Sequence, residues 1–193
     1  MEKTVDAVES IAQRWPVTVR PAGESSDDSR LVDAARGGDR AAFGRLYERY
    51  ARMVHGILLA RVPLAEVDDL VQEVFLLAMR RLHTLRDAAA FGGWLAAITR
   101  NRARDFFRRA PDLEELTEEM AAKNQEEAEA RLVLAMIGQL SEAYRETLIL
   151  RLVEGMTGPE IAARTGLTPG SVRVNLHRGM EQLRERLGKV NNP

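Results

Sequence analysis

The stretch "PEIAARTGLTPGSVRVNLHR", residues 159–178, carries the strongest structural signal in this chain of 193 residues. Thr157, just ahead of it, and Glu160 have the spacing of a capping box, which marks the start of a helix. Gly166 is placed to end that helix, because glycine readily adopts the left-handed conformation common at helix C-termini. Thr168 can then cap a second helix that has a proline at its first position. The pattern predicts two helices joined by a tight glycine turn.

The second of these helices has two distinct faces. Its apolar residues recur every three or four positions, which is the period of a buried helical stripe: Val172, Leu176, Met180, Leu183 and Leu187. A short helix, a glycine turn and a second amphipathic helix together form a helix-turn-helix. The face opposite the stripe would meet base edges and phosphates in a DNA groove, and we predict as DNA contacts Ser171, Arg173, Val174, His177 and Arg178.

The rest of the chain is also helical in pattern. Aromatic residues are few (5%), and alanine, leucine, arginine and glutamate are plentiful, which favours helices over sheets. Proline and polar residues break the pattern in 1–30 and again in 111–126. The predicted fold is therefore all-α, with two small helical domains at 31–110 and 127–193. An acidic linker (111–126) joins the domains, and a flexible extension (1–30) precedes them.

Charge is segregated along the chain. Residues 31–110 carry 14 basic and 9 acidic groups, and 131–193 carry 9 and 6, whereas 111–130 carry 1 and 8. Two basic blocks separated by an acidic stretch indicate two surfaces that bind a polyanion. The acidic stretch is either a solvated spacer or a device that limits nonspecific contact with nucleic acid.

Two stretches of the first block carry further candidate sites. In "DDLVQEVF" (68–75), helical geometry turns Leu70, Val71, Val74 and Phe75 inward and leaves a polar face of Asp69, Gln72 and Glu73. No histidine lies within helical reach, so this face is not predicted to bind a metal. In "WLAAITRNRARDFFRR" (94–109), five arginines within ten residues suit phosphate contact. We expect Asp105 to pair with an arginine one turn away.

Three stretches in this order resemble the sigma-70 family of RNA polymerase factors. They are "DLVQEVFLLAMRRL" (69–82), "WLAAITRNRARDFFRR" (94–109) and "EIAARTGLTPGSVRVNLHRGMEQLRERL" (160–187). Residues 31–109 look like sigma region 2 and 131–187 like region 4. With only these two regions and a short linker, the chain resembles the extracytoplasmic-function (ECF) group. Residues 1–30 lie outside the resemblance.

The resemblance implies a role for each candidate surface. Region 2 would dock on the clamp helices of the largest subunit of core RNA polymerase through Asp69, Gln72 and Glu73, and region 4 would contact the flap. The helix-turn-helix would read the minus-35 promoter element. The minus-10 element would meet the loop and helix that contain Arg86, Asn101, Arg102, Arg104 and Arg108. ECF factors are commonly held by an anti-sigma protein, so we expect one here.

Other classes of function find little support in the sequence. Cysteine is absent, and there is no phosphate-cradling glycine loop, nucleophile motif or zinc spacing, so we expect neither an enzyme nor a cofactor or metal. No apolar run approaches the roughly 20 residues of a membrane span, and a cytoplasmic protein without membrane insertion is expected. The alternative is a stand-alone helix-turn-helix regulator with 31–109 as a sensor or dimerisation domain, which would not need the second basic block and its acidic helix.

Overall fold

The structure, a computed structural model, describes residues 25–109 and 125–190. Within these ranges it contains eight α-helices and no strand, as the helical spacing predicts. The helices are α1 (Ser25–Arg36), α2 (Arg40–Leu59), α3 (Val67–Arg81), α4 (Phe91–Arg109), α5 (Gln125–Gly138), α6 (Glu142–Leu152), α7 (Gly158–Thr165) and α8 (Pro169–Val190). Three short 3-10 turns, Leu64–Glu66, Leu82–Thr84 and Ala88–Ala90, lie between α2 and α4.

The first block, α1 to α4, is built around α2. Asp39 caps this helix, because its Oδ1 accepts hydrogen bonds from the backbone N–H groups of Ala41 (2.8 Å) and Ala42 (3.0 Å). The inward face of α2 is fully buried against α3 and α4. The apolar spacing predicts a stripe along this helix that includes Leu46, Val54, Ile57 and Leu58, and all four are fully buried, as is Met53, which the predicted stripe did not contain. Tyr47 belongs to the same predicted stripe but is 41% exposed.

Helix α1 begins at Ser25, inside the segment that the sequence assigns to a flexible extension. The hydroxyl of Tyr50 donates to Asp28 (2.6 Å), and Arg49 donates to Asp27 (2.8 Å) and pairs with Asp28. Burial, followed by this bond to Asp28, raises the pKa of Tyr50 well above its usual range. These contacts hold the polar first turn of α1 against α2.

In the second block, α6 and α8 form the main contact. A small apolar cluster is buried between α5, α6 and α8, and it includes Ile137, Leu148, Ile149 and Leu183. Serine is a preferred N-cap residue, and Ser141 stands at that position of α6, although its side chain makes no capping hydrogen bond.

The larger of two hydrophobic clusters is shared by both blocks. Side chains of α6, α7, α8 and the intervening turn are buried in the cluster formed by the first block: Leu150, Met156, Ile161, Ala162 and Val172. Helix α7 packs on α4, and α6 packs on α2. The sequence predicts two modules on a tether and says nothing of this contact. Residues 110–124, most of the acidic linker, lie outside the described residues.

Candidate nucleic-acid and docking surfaces

The helix-turn-helix has the capping box and the glycine turn that its sequence predicts. Glu160 Oε2 accepts from the backbone N–H of Thr157 at 2.7 Å, completing the capping box of α7. Although burial opposes ionisation, the hydrogen bonds with Thr157 lower the pKa of Glu160. Gly166 ends the helix at φ 76°, a left-handed conformation, and its N–H donates to the carbonyl of Ala162 at 3.2 Å. These bonds set the angle at which α8 leaves the turn.

Helix α8 presents the predicted contact face to solvent. Val172 and Leu183 hold its other face in the interior, while Val174 is 44% exposed. Arg173, His177 and Arg178 are also exposed, and neither arginine makes an ion pair within the described part of the chain. Two cations beside an exposed valine can meet phosphates, base edges and a thymine methyl group.

Ser171 differs from the other predicted contacts of α8. Its backbone N–H donates to Thr168 Oγ1 at 3.1 Å, and the two hydroxyl oxygens are 2.8 Å apart. The hydroxyl of Ser171 is therefore engaged in the cap of its own helix, although the residue is exposed.

The arginines predicted to meet the minus-10 element have different environments. Arg86, Arg104 and Arg108 are exposed. Arg104 donates to the side-chain oxygen of Asn101, and Arg108 pairs with Asp105 at 3.1 Å, as expected for an arginine one turn away. Arg104 and Arg108 lie on the last turns of α4, whereas Arg86 lies on the loop before the helix, at its other end.

Two other arginines of α4 are held by carboxylates of neighbouring helices. Arg102 donates through Nε to Glu73 of α3 at 2.6 Å, and its side chain is only 15% exposed. Arg100 donates to both carboxylate oxygens of Glu146 on α6, at 2.6 and 3.1 Å. Burial lowers the pKa of Arg100, but the hydrogen bonds and charge of Glu146 more than offset it, and the pKa is raised. Neither guanidinium is free to meet a phosphate in this arrangement.

The predicted docking face of α3 is present on the surface. Asp69, Gln72 and Glu73 are exposed, while Leu70, Val71, Val74 and Phe75 are buried. Glu73 is paired with Arg102, whereas Asp69 and Gln72 have no side-chain partner within residues 25–109 and 125–190.

The same face continues into an apolar surface that sequence reasoning missed. Leu76 is 52% exposed and Met79 is 50% exposed. Tyr47 of α2 is 41% exposed, and the centre of its ring lies 4.6 Å from that of Phe75 on α3. Residues 72, 76 and 79 follow helical spacing, so the signal was available in the sequence. An exposed apolar surface next to acidic groups is typical of a protein-docking site.

The described residues contain no group of three or more acidic or histidine side chains placed to hold a metal ion. His55 and His83 lie apart from the exposed His177. Within the same ranges, no helix has the length and apolar character needed to cross a lipid bilayer.

Comparisons with known proteins agree with this geometry. Family models described as "Sigma-70 region 2" and "Sigma-70, region 4" match residues 46–111 and 130–183. The RNA polymerase sigma factor CarQ of Myxococcus xanthus is 35% identical over 82% of this chain and 97% of its own. The ECF RNA polymerase sigma-E factor of Escherichia coli is 30% identical over 83% of this chain and 94% of its own.

A solved structure is also similar. CnrH, recorded in complex with the cytosolic domain of CnrY, superimposes with a TM-score of 0.61 and is 28% identical, covering 84% of this chain and 97% of the other.

Proposed function

Because the chain belongs to the ECF group of the sigma-70 family and acts in promoter recognition at transcription initiation, we propose a binding partner for each of its surfaces. Residues 31–110 act as region 2 and 127–193 as region 4, and 111–126 joins them. The exposed cationic face of α8 supports this proposal most strongly, because Arg173, His177 and Arg178 are exposed on a helix that Thr168 caps at its start. This face binds the minus-35 element.

The minus-10 element binds the surface formed by Arg86, Asn101, Arg104 and Arg108 on α4 and its preceding loop. These exposed groups can contact the phosphates of a strand that has left the duplex. Opening the duplex costs about 1.4 kcal/mol per base-pair step, and contacts to the captured strand offset that cost. Arg102 joins this surface when Glu73 releases it.

Core RNA polymerase binds the exposed face of α3 through its clamp helices. Asp69 and Gln72 supply the polar contacts, and Leu76, Met79 and Tyr47 supply an apolar centre next to them. An acidic rim around an apolar centre suits a partner with basic and apolar side chains. Region 4 makes a second contact, with the flap.

The protein acts by binding, without a catalytic step or cofactor of its own, and it works in the cytoplasm. We also propose a protein inhibitor of the anti-sigma type, supported by the structural relative CnrH, which is recorded with the cytosolic domain of CnrY. A stand-alone regulator is not favoured, because both sigma regions match and the region 2 surface is present.

Run-off transcription with purified core polymerase on a library of promoter fragments tests this function. We expect this protein to direct initiation from templates that share two elements about 20 base pairs apart. Core polymerase alone is the control. A protein that binds DNA but neither binds core polymerase nor supports initiation would be a stand-alone regulator instead.

A further inference from the structure

The sulfur atoms of this chain all belong to methionine, because the sequence contains seven methionines and no cysteine. Of the methionines that the structure describes, Met53, Met136 and Met156 are 0%, 6% and 2% exposed, and Met180 is half-buried. Met79 of α3 differs from these four, since it is 50% exposed. A reagent dissolved in water therefore reaches the thioether of Met79 more readily than the thioethers of the three buried methionines.

The surroundings of Met79 leave its side chain open to small molecules. Met79 lines an open pocket of about 340 Å³ between α1, α2 and α3. Apolar side chains line part of this pocket, among them Phe43 and Leu82, and the polar part includes Arg36 and His83. The pocket has room for several molecules of the size of water. Hydrogen peroxide, which is only slightly larger than water, can therefore approach the sulfur of Met79.

Met79 also lies on the docking face of α3. Leu76, one helical turn earlier, is 52% exposed, and Asp69 and Gln72 are exposed on the same face. A partner that binds this face buries the methionine side chain next to Leu76. A thioether suits such a position, because it is apolar, polarisable and flexible. The most accessible sulfur among the described residues is therefore placed where its polarity affects docking.

Oxidation changes that polarity in one balanced step. A lone pair of the sulfur attacks one oxygen atom of hydrogen peroxide, so that an S–O bond forms and the O–O bond breaks. The other oxygen atom leaves as hydroxide and takes the proton from the oxygen now bound to sulfur, which gives the sulfoxide and water. The sulfur is oxidised by two electrons, and the peroxide is reduced by two. The apolar thioether becomes a polar group with a strong hydrogen-bond acceptor.

We propose that Met79 is a reversible oxidation site through which peroxide weakens the binding of this protein to core polymerase. Burial of the sulfoxide oxygen beside Leu76 removes its hydrogen bonds to water, and an apolar partner surface does not replace them. A methionine sulfoxide reductase with a thiol as reductant restores the thioether. The proposal rests on the proposed function for the identity of the partner, whereas selective oxidation of Met79 is a property of the free chain.

Selectivity is tested on the full-length protein without polymerase. The protein is treated with hydrogen peroxide, catalase removes the excess, and peptide mass spectrometry follows each methionine over time. We expect the sulfoxide of Met79 to form at least about ten-fold faster than those of Met53, Met136 and Met156, because susceptibility follows exposure. Equal rates at all four positions would show that Met79 is not a selected site and would overturn the proposal.

Binding is then measured with core polymerase that has not met the oxidant. We expect the oxidised protein to bind at least about five-fold more weakly than the untreated protein. The matched control is Met79→Leu, which removes the sulfur at nearly constant volume. This variant should bind like the wild type and keep its affinity after the same treatment. Equal affinity of oxidised and untreated wild type would contradict the proposal, and so would an equal loss in Met79→Leu.

Reversal and mimicry separate a switch from damage. Methionine sulfoxide reductase should restore the affinity of the oxidised wild type, and Met79→Gln, which places a polar group at this position, should bind weakly without oxidant. Helicity measured by circular dichroism should be the same before and after oxidation, because Met79 is exposed. Loss of helicity, or no recovery after reduction, would mean damage and would refute the switch. If the untreated wild type does not bind core polymerase, the proposed docking fails as well, whereas selective oxidation with unchanged binding refutes the switch alone.

Discussion

At the residue scale, the contact between His55 and Glu154 makes the packed form sensitive to pH. The hydrogen bond to Glu154 raises the pKa of His55, burial opposes this, and the charges of Glu154 and Asp68 reinforce it. Arg52 of the same helix lies 3.8 Å from Glu154 and competes for it. A raised pKa means that the protonated histidine is stabilised by folding.

The sign of the effect follows from linkage. The stabilisation is complete below the unfolded pKa of about 6.5 and is lost as the pH rises through the higher folded value. We therefore expect the midpoint of urea unfolding to fall between pH 6 and pH 9, and His55→Gln to reduce that fall. The same pH series on His83→Gln, an exposed histidine, is the control. An unchanged slope in His55→Gln would show that this pair contributes nothing.

Arg173 and Arg178 provide a second test at this scale. Truncation of a side chain that reads a base should weaken binding to the minus-35 duplex by about 1–3 kcal/mol and relax preference at one base pair. A phosphate contact should instead weaken binding to all sequences alike. Binding of Arg173→Ala and Arg178→Ala to a set of single-base variants distinguishes the two, with Arg184→Ala, exposed on the same helix, as the control. Unchanged binding by both variants would remove these arginines from the interface.

At the element scale, α3 combines a buried face that builds the core with an exposed face that is free to dock. Asp69→Arg together with Met79→Asp should weaken binding to core polymerase by about 1,000-fold or more, because a reversed charge and a buried unpaired carboxylate together cost about 4 kcal/mol or more. Helicity should not change, since both side chains are exposed. A pull-down of core polymerase and far-ultraviolet circular dichroism measure the two effects.

The control for α3 is Glu181→Arg, a charge reversal on the exposed surface of α8. Equal retention of core polymerase by the α3 variant and this control would place the docking surface elsewhere. Glu73 is left unchanged in the test, because its loss would also release Arg102.

The elements also show what one sequence can predict. Caps and helical periodicity are local, so the capping box of α7, the left-handed Gly166 and the inward face of α3 follow from nearby residues. The sequence predicts a helix in "LVDAAR" but leaves residues 25–30 in the flexible extension, because the polar start of α1, "SSDDSR", is held by Arg49 and Tyr50, more than 20 positions away. The pairing of Arg102 with Glu73, 29 positions apart, and of Arg100 with Glu146, 46 apart, depends on tertiary packing. A single sequence records no such partners.

At the scale of the whole molecule, acidic groups reduce the positive charge that the two blocks present to DNA. Two cationic surfaces on one chain would bind any duplex through its phosphates. In the packed form Arg61 and Arg100 are neutralised by Glu146 across the contact, whereas the face of α8 stays exposed. The acidic stretch 111–130 supplies a second source of negative charge close in sequence to both blocks.

The last prediction concerns that acidic stretch. Glu114, Glu115, Glu118 and Glu119 lie outside the described residues, and the prediction rests on their charge alone. Replacing all four with glutamine should increase the affinity of the free protein for random duplex DNA at low salt, because their repulsion of phosphates is removed. The increase should fade as salt shortens the Debye length to about 8 Å near 0.15 M.

Fluorescence anisotropy with a labelled random duplex, over a series of salt concentrations, measures this effect. The control is a variant with Gln125, Asn124 and Gln139 changed to alanine, which alters polar residues in and beyond the linker without changing charge. Tethering makes the second promoter contact intramolecular, so neither block needs high affinity alone, and repulsion by the linker then costs little at a true promoter. If the glutamine variant binds random duplex no better than the parent at low salt, the linker acts only as a spacer.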